Sequence, residues 1–144
     1  MTKKIVITGG LGYIGTELCK IYSGISWNNE ILVIDNRFVS ERVNQLRNWD
    51  INFVHGDILD KDLVNKYCKD TDIVHHLAGI TDVPRVKSES SDKANAKIKL
   101  VAEEGTQNIL DAINDKCKII FPSTHVVYEG IEKIKNDIPE DEQT

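Results

Sequence analysis

Three observations predict a doubly wound α/β fold, a parallel sheet with helices on both faces, for this chain. Five short apolar runs recur along 144 residues, amphipathic helical patterns separate them, and a glycine-rich turn, TGGLGYIG at residues 8–15, joins the first run to the first helix. Unbroken apolar strands are those of a parallel sheet buried on both faces, and right-handed crossovers place the intervening helices on its two sides.

Each element can be justified in order. Lys4 to Thr8 is a buried strand, and Ile14, Leu18 and Ile21 then recur at helical spacing to about Ser23. Ile31-Leu32-Val33-Ile34 is a second strand ending at Asp35, followed by a short helix over Val43, Leu46, Arg47 and Trp49. Ile51 to His55 is the third strand, ending at Gly56-Asp57. Leu59, Leu63, Val64 and Tyr67 then predict a helix whose start is marked by Asp60 and Asp62. Asp72 to Leu77 is the fourth strand. From about Ser91 to Ile113 the residues Ala94, Ile98, Val101, Gly105, Ile109 and Ala112 form one apolar stripe, which predicts a single long helix. Lys118 to Phe121 is the fifth strand, and the charged segment from Glu129 reads as loop.

Composition narrows the function. A chain of this length is one domain that buries roughly two-thirds of its unfolded surface. With 40% hydrophobic and 28% charged residues it has the balance of a soluble globular protein, and no apolar run approaches a membrane span or a signal-peptide core. The expected location is the cytoplasm. A net charge of −5 argues against a nucleic-acid partner, because phosphate binding needs clustered Lys and Arg. Cys19, Cys68 and Cys117 lack ligand spacing and are expected to be buried reduced thiols, so no metal site is expected. His75 and His76 invite an acid–base or metal role, but as neighbours on a strand they point to opposite faces, which argues against it. His125 is expected to be an ordinary loop or core histidine, while Trp27 and Trp49 are expected to close helices onto the sheet.

The glycines point to an anion. A helix that starts directly after a strand presents unpaired N–H groups with partial positive charge. Gly9 permits the tight turn, Gly12 leaves room for a pyrophosphate, and Gly15 lets the helix pack against the strand. Asp35 ends the second strand, about twenty residues after Gly15, where a carboxylate accepts both hydroxyls of an adenosine ribose. That carboxylate would repel a 2′-phosphate, so NAD is expected over NADP, with Arg37 keeping NADP as the secondary choice.

Taken in order, TGGLGYIG, Asp35-Asn36, Gly56-Asp57-Ile58, His76-Leu77-Ala78-Gly79, Glu104-Gly105-Thr106-Gln107-Asn108-Ile109-Leu110 and Phe121-Pro122-Ser123-Thr124-His125-Val126-Val127-Tyr128 resemble the motifs of the extended short-chain dehydrogenases/reductases. The chain looks like the N-terminal part of a nucleotide-sugar epimerase or dehydratase. The resemblance implies a Rossmann-type sheet of strand order 3-2-1-4-5, an NAD-binding domain over residues 1–128, and a loop over 129–144 leading to a catalytic and substrate-binding part. It further implies that Gly9, Gly12, Tyr13 and Ile14 hold the pyrophosphate, Asp35 and Asn36 the ribose, and Asp57 and Ile58 the adenine. Leu77, Ala78 and Gly79 would run along the cofactor toward its nicotinamide ribose, and Thr124 would be the catalytic hydroxyl facing a nucleotide-sugar substrate.

The resemblance has gaps. The family's Tyr-x-x-x-Lys is absent: none of Tyr13, Tyr22, Tyr67 or Tyr128 has lysine four positions on, and Lys133 follows Tyr128 by five. The expected place for that tyrosine lies beyond Thr144, so a longer protein is expected, with this segment alone inactive. The alternative is a non-catalytic NAD-binding module with a regulatory or assembly role. Ala102 stands where the family has Asn, Pro122 where it has a small polar residue, and Glu129 where it has Gly. In relatives the helix near 91–113 pairs with the tyrosine-bearing helix in a homodimer, so its apolar stripe and the fifth strand's edge are expected to be exposed here.

Overall fold

The structure, a computed structural model, describes residues 2–25, 29–80 and 91–123. Five parallel strands, β1 (Lys4–Thr8), β2 (Glu30–Asp35), β3 (Asn52–His55), β4 (Ile73–His76) and β5 (Lys118–Ile120), form one sheet in the order β3-β2-β1-β4-β5. This is the expected doubly wound topology. The helices are α1 (Tyr13–Ser23), α2 (Ser40–Asn48), α3 (Lys61–Cys68), α4 (Ser91–Leu100) and α5 (Thr106–Ala112), with a π-helical turn at Val101–Gly105 between the last two.

The alternation of side chains along the central strands sorts the core into two layers. Ile5, Ile7, Ile31 and Val33 meet Leu11, Cys19, Val43 and Leu46 on one face, under α1 and α2. Val6, Leu32, Ile34 and Val74 meet Ile58, Val64, Cys68 and Ile109 on the other, under α3 and α5. β1 and β2 run in register from Lys4↔Glu30 to Thr8↔Ile34, which brings the ends of both strands to one level beside the glycine-rich turn. β1 also pairs with β4 up to Thr8↔His76. The chain therefore leaves β1 in two directions, and ligands bind at such a switch point, outside the carboxyl ends of the strands.

Two expectations change. The helix over 91–113 is not uniform, because residues 101–105 widen into a π turn and helical structure ends at Ala112. Its apolar stripe is not left open either. Gly105 and Ile109 are buried, Ile98, Val101 and Ala112 are half-buried, and a Cβ on Gly105 would stand 2.4 Å from Ile58 Cδ1, so the turn after β3 and the second core layer cover much of this side. The fifth strand is the more open edge, with Ile120 and Phe121 both exposed. Of the three cysteines, Cys19 and Cys68 are buried and Cys117 only half-buried. Burial pushes the Cys19 thiol up to about 12 and the Cys68 thiol to about 11, which keeps both protonated. Trp49 caps α2 and packs against the first layer, while Trp27 lies outside the described residues.

Candidate functional site

The glycine-rich turn is built by exclusion of side chains. Gly9 has φ +68, and a Cβ there would lie 2.7 Å from the Ala78 backbone nitrogen and Cα. The turn can therefore form only where residue 9 has no side chain, and the segment after β4 closes in behind it. Its N–H donates to the Ile34 carbonyl at 2.8 Å, which pins the turn to the end of β2. Gly15 is fitted against the turn rather than against a strand: a Cβ would come within 2.5 Å of Gly10 Cα. Gly10 in turn fits against Val33, 2.6 Å from where its own Cβ would be.

Gly12 differs from these three. A Cβ there would approach only the Gly9 carbonyl, at 3.0 Å, so the space beyond it is open. Gly12 is also the N-cap of α1, offers no side-chain cap, and no acidic residue occupies the first turn. The positive end of the helix is thus not neutralised by its own turn, as an anion site requires. Tyr13 and Ile14 are 80% and 64% exposed beside it, an apolar rim available to a ligand.

Asp35 is buried at the end of β2, and its carboxylate is already at work within the protein. Oδ2 accepts the Leu11 N–H at 2.9 Å and Oδ1 the Arg37 N–H at 2.9 Å, with Arg37 Nε 3.8 Å away. Arg42, from α2, donates to the Leu11 carbonyl. The Leu11 peptide is held on both sides, and the side chain of Leu11 is fully buried. A carboxylate oxygen has two lone-pair directions, and one on each oxygen is taken by the Leu11 and Arg37 N–H groups.

The remaining predicted positions line the same edge. Asn36 Nδ2 donates to Asp57 Oδ2 at 3.0 Å, and His55 Nε2 donates to the Asn36 carbonyl at 3.0 Å. Asp57 Oδ1 accepts the Leu59 N–H at 3.0 Å, closing the turn after β3. The Ile58 side chain is buried in the second core layer, and its carbonyl accepts Asn108 Nδ2 at 3.0 Å, so the side chain expected at an adenine edge belongs to the core. Leu77 N–H donates to the Thr8 carbonyl and Ala78 N–H to Thr8 Oγ1, which holds 77–78 against β1. Nothing lies within 4 Å of a Cβ built on Gly79. Gly9, Gly12, Tyr13, Ile14, Asp35, Asn36, Asp57, Leu77, Ala78 and Gly79 therefore share the carboxyl edge of the sheet. Thr124 lies outside the described residues, as do His125 and Tyr128. Ala102 is exposed on the π turn, and Pro122 is exposed after β5.

His75 and His76 part as strand geometry demands. His75 faces α1, where its Nε2 lies 2.7 Å from the Tyr22 hydroxyl. His76 faces α5, with Nδ1 2.8 Å from Thr8 Oγ1 and Nε2 3.0 Å from Thr106 Oγ1. Burial lowers both imidazoles from their ordinary value and raises Tyr22, so the pair at α1 stays neutral. Among the described residues no group of three or more His, Cys, Asp and Glu side chains could hold a metal ion, and no helix is long and apolar enough to cross a membrane.

Three features escaped the sequence. Gly10 against Val33, Arg42 on the Leu11 carbonyl, and the bond from Asp35 to Leu11 all join residues distant in the chain. Only the doubled glycine at 9 and 10 hinted at the first.

The sequence matches the 3-beta hydroxysteroid dehydrogenase/isomerase family over residues 6–143. It is similar to the CDP-paratose 2-epimerase of Salmonella typhi, 33% identical across 92% of this chain and 40% of that protein. Among solved structures, the fold is similar to the UDP-N-acetylglucosamine 4-epimerase of Methanobrevibacter ruminantium M1 in complex with UDP-N-acetylmuramic acid, at TM-score 0.72 and 27% identity over 99% of this chain and 44% of that one. It is equally similar to the UDP-glucose 4-epimerase of Brucella ovis in complex with NAD, at TM-score 0.72 and 28% identity over 99% and 42%. The chain spans about two fifths of the length of the curated relatives it matches. Its glycine-rich turn, its sheet order and a match running nearly end to end place the chain in the 3-beta hydroxysteroid dehydrogenase/isomerase family, within the extended short-chain dehydrogenases/reductases.

Proposed function

We propose that this chain is the NAD-binding part of a nucleotide-sugar epimerase or dehydratase that works by hydride transfer. The observation that carries the reading is the open face at Gly12, where an uncapped helix end and the buried Asp35 carboxylate share one edge of the sheet. The helix end suits a pyrophosphate, and the carboxylate suits a ribose diol without a 2′-phosphate, so NAD fits better than NADP. NAD supplies the hydride acceptor and donor, while the chain's own residues bind and orient it. Gly9, Gly12, Tyr13 and Ile14 take the pyrophosphate, Asp35 and Asn36 the ribose, Asp57 and the Ile58 backbone the adenine, and Leu77 to Gly79 the nicotinamide side. Residues 1–128 make up this domain, and 129–144 lead toward the rest of the protein.

Thr124 is assigned to the substrate hydroxyl on the strength of the motif it occupies. Relatives named as epimerases and a decarboxylase favour an enzyme over a non-catalytic module. A nucleotide sugar as substrate is supported by those same names. A homodimer through the helices over 91–112 is supported by the exposed Leu100 and Leu110, and a cytoplasmic setting by three free thiols.

Calorimetric titration of NAD and NADP into the chain tests this reading. Gly12→Glu is the informative variant, because its side chain enters open space after a shift of a few tenths of an ångström at Gly9, whereas Asp35→Ala would also release Leu11. Saturable NAD binding, weaker for NADP and lost in Gly12→Glu with an unchanged melting curve, is the expected result. Failure of the parent chain to bind either nucleotide would sink the proposal.

A further inference from the structure

The His76 imidazole has no part in the reading above, yet it is linked through Thr8 to segment 77–79 of the proposed site. It is 1% exposed, with the Phe121 ring against it at a centroid distance of 5.5 Å. Its Nδ1 is 2.8 Å from Thr8 Oγ1, and that same oxygen accepts the Ala78 N–H at 3.3 Å. Its Nε2 is 3.0 Å from Thr106 Oγ1. One line of hydrogen bonds thus runs from segment 77–79, through the end of β1 beside the Gly9 turn, to the first residue of α5.

Counting donors locates the ring proton. A hydroxyl has one proton and two lone pairs. Thr8 Oγ1 already accepts from Ala78, and its own proton finds an acceptor in the ring when Nδ1 is bare. A neutral ring with bare Nδ1 carries its proton on Nε2, where it donates to Thr106 Oγ1, and the fully buried Thr8 hydroxyl is then paired, the half-buried Thr106 hydroxyl being the one left with a proton to give elsewhere. A proton on Nδ1 would instead be accepted by the Thr8 oxygen and leave the fully buried Thr8 hydroxyl proton without an acceptor among the described groups that face it. Among the described residues, the groups facing the ring are Thr8 from β1, the Ala78 N–H, Thr106 from α5 and Phe121 after β5. None is charged, and His75 on the same strand faces Tyr22 on the other side of the sheet. Burial holds the imidazole below its ordinary value, consistent with a neutral ring.

We propose that His76, as the Nε2–H tautomer, is a positioning residue for the cofactor that keeps segment 77–79 in place against the Gly9 turn and ties both to α5. The inference rests on the NAD reading. It acts through Thr8, whose hydroxyl gives its proton to the ring and accepts the Ala78 N–H.

The test is calorimetric titration of NAD into the 144-residue chain at pH values on both sides of 6.5, the ordinary histidine value, for the parent, His76→Leu and His76→Asn. The parent is expected to lose affinity as the pH falls. His76→Leu should bind about tenfold more weakly, the loss expected for one misplaced hydrogen bond, and without that pH course. His76→Asn, whose side-chain oxygen stands near the place of Nδ1, should recover most of the affinity. Equal affinity in parent and His76→Leu, or the same pH course in both, overturns the proposal while leaving the NAD reading intact. A parent that binds no NAD at any pH removes both. Nitrogen-15 spectra of the imidazole need no variant: a proton on Nε2 supports the assignment, and a proton on Nδ1 overturns it.

Discussion

Individual residues at the glycine-rich turn do different jobs despite their identical chemistry. Gly9 is required by its positive φ and by the Ala78 backbone behind it, Gly15 by the approach of α1 to Gly10, and Gly12 by nothing inside the protein except one carbonyl at 3.0 Å. Gly10 is the position sequence reasoning left without a role. A Cβ there would stand 2.6 Å from a Val33 methyl, in the tightly packed layer under α1. Gly10→Ala is therefore expected to destabilise the fold by about 1–3 kcal/mol, the usual penalty for overpacking, measured as a lower urea midpoint with an unchanged slope. Asp35 also carries two loads, since it orients Leu11 from within the fold and faces the proposed ribose from the cleft. Loss of binding in a variant at 35 thus reports a loosened turn as well as a missing acceptor.

Among the elements, α3 shows how far a local signal reaches. Asp60 precedes the helix in extended conformation, and its side chain accepts the Leu63 N–H at 3.1 Å, an N-cap recognisable from Asp before an apolar periodic stretch. Asp60→Ala should cost about 1 kcal/mol and Asp60→Asn only a few tenths, read from thermal melts of the two variants. The helix pair α4 and α5 shows the opposite. Spacing of apolar residues predicts one continuous helix, but the π turn accommodates an extra residue before Gly105. Gly105 then meets Ile58 and Thr106 meets His76. Both partners lie thirty or more positions earlier in the chain, and nothing between 91 and 113 announces them.

At the scale of the whole molecule, buried titratable groups set a pH range for stability. His75 and His76 are kept below the ordinary value of 6.5 by burial. The unfolded chain then binds more protons than the folded one in that window, so their contribution is complete above 6.5 and lost as the pH falls through the lower folded values. Tyr22, Cys19 and Cys68 act in the other direction, since burial raises them above 10.0 and 9.0 respectively. Their contribution is complete below those values and lost on further rise. Urea midpoints measured across pH are expected to show a plateau between about 6.5 and 9.0, with His75→Phe softening the acid side.

What the sequence by itself determined was the class and order of the fold and the edge on which the proposed site lies. Apolar strands, helical periodicity, the glycine-rich turn and a carboxylate at the end of the second strand are local patterns, and local sterics and burial suffice to read them. Strand bounds shifted by a residue at most, and the resemblance of six motifs supplied the strand order. Only the tertiary structure decided that Asp35 and Arg42 hold the Leu11 peptide, that the stripe at Gly105 and Ile109 is covered, and that His76 joins Thr8 to Thr106. Each of those depends on residues brought together by strand pairing across the switch point beside β1, and a hydrogen bond between distant residues leaves no periodic trace in either partner's own neighbourhood.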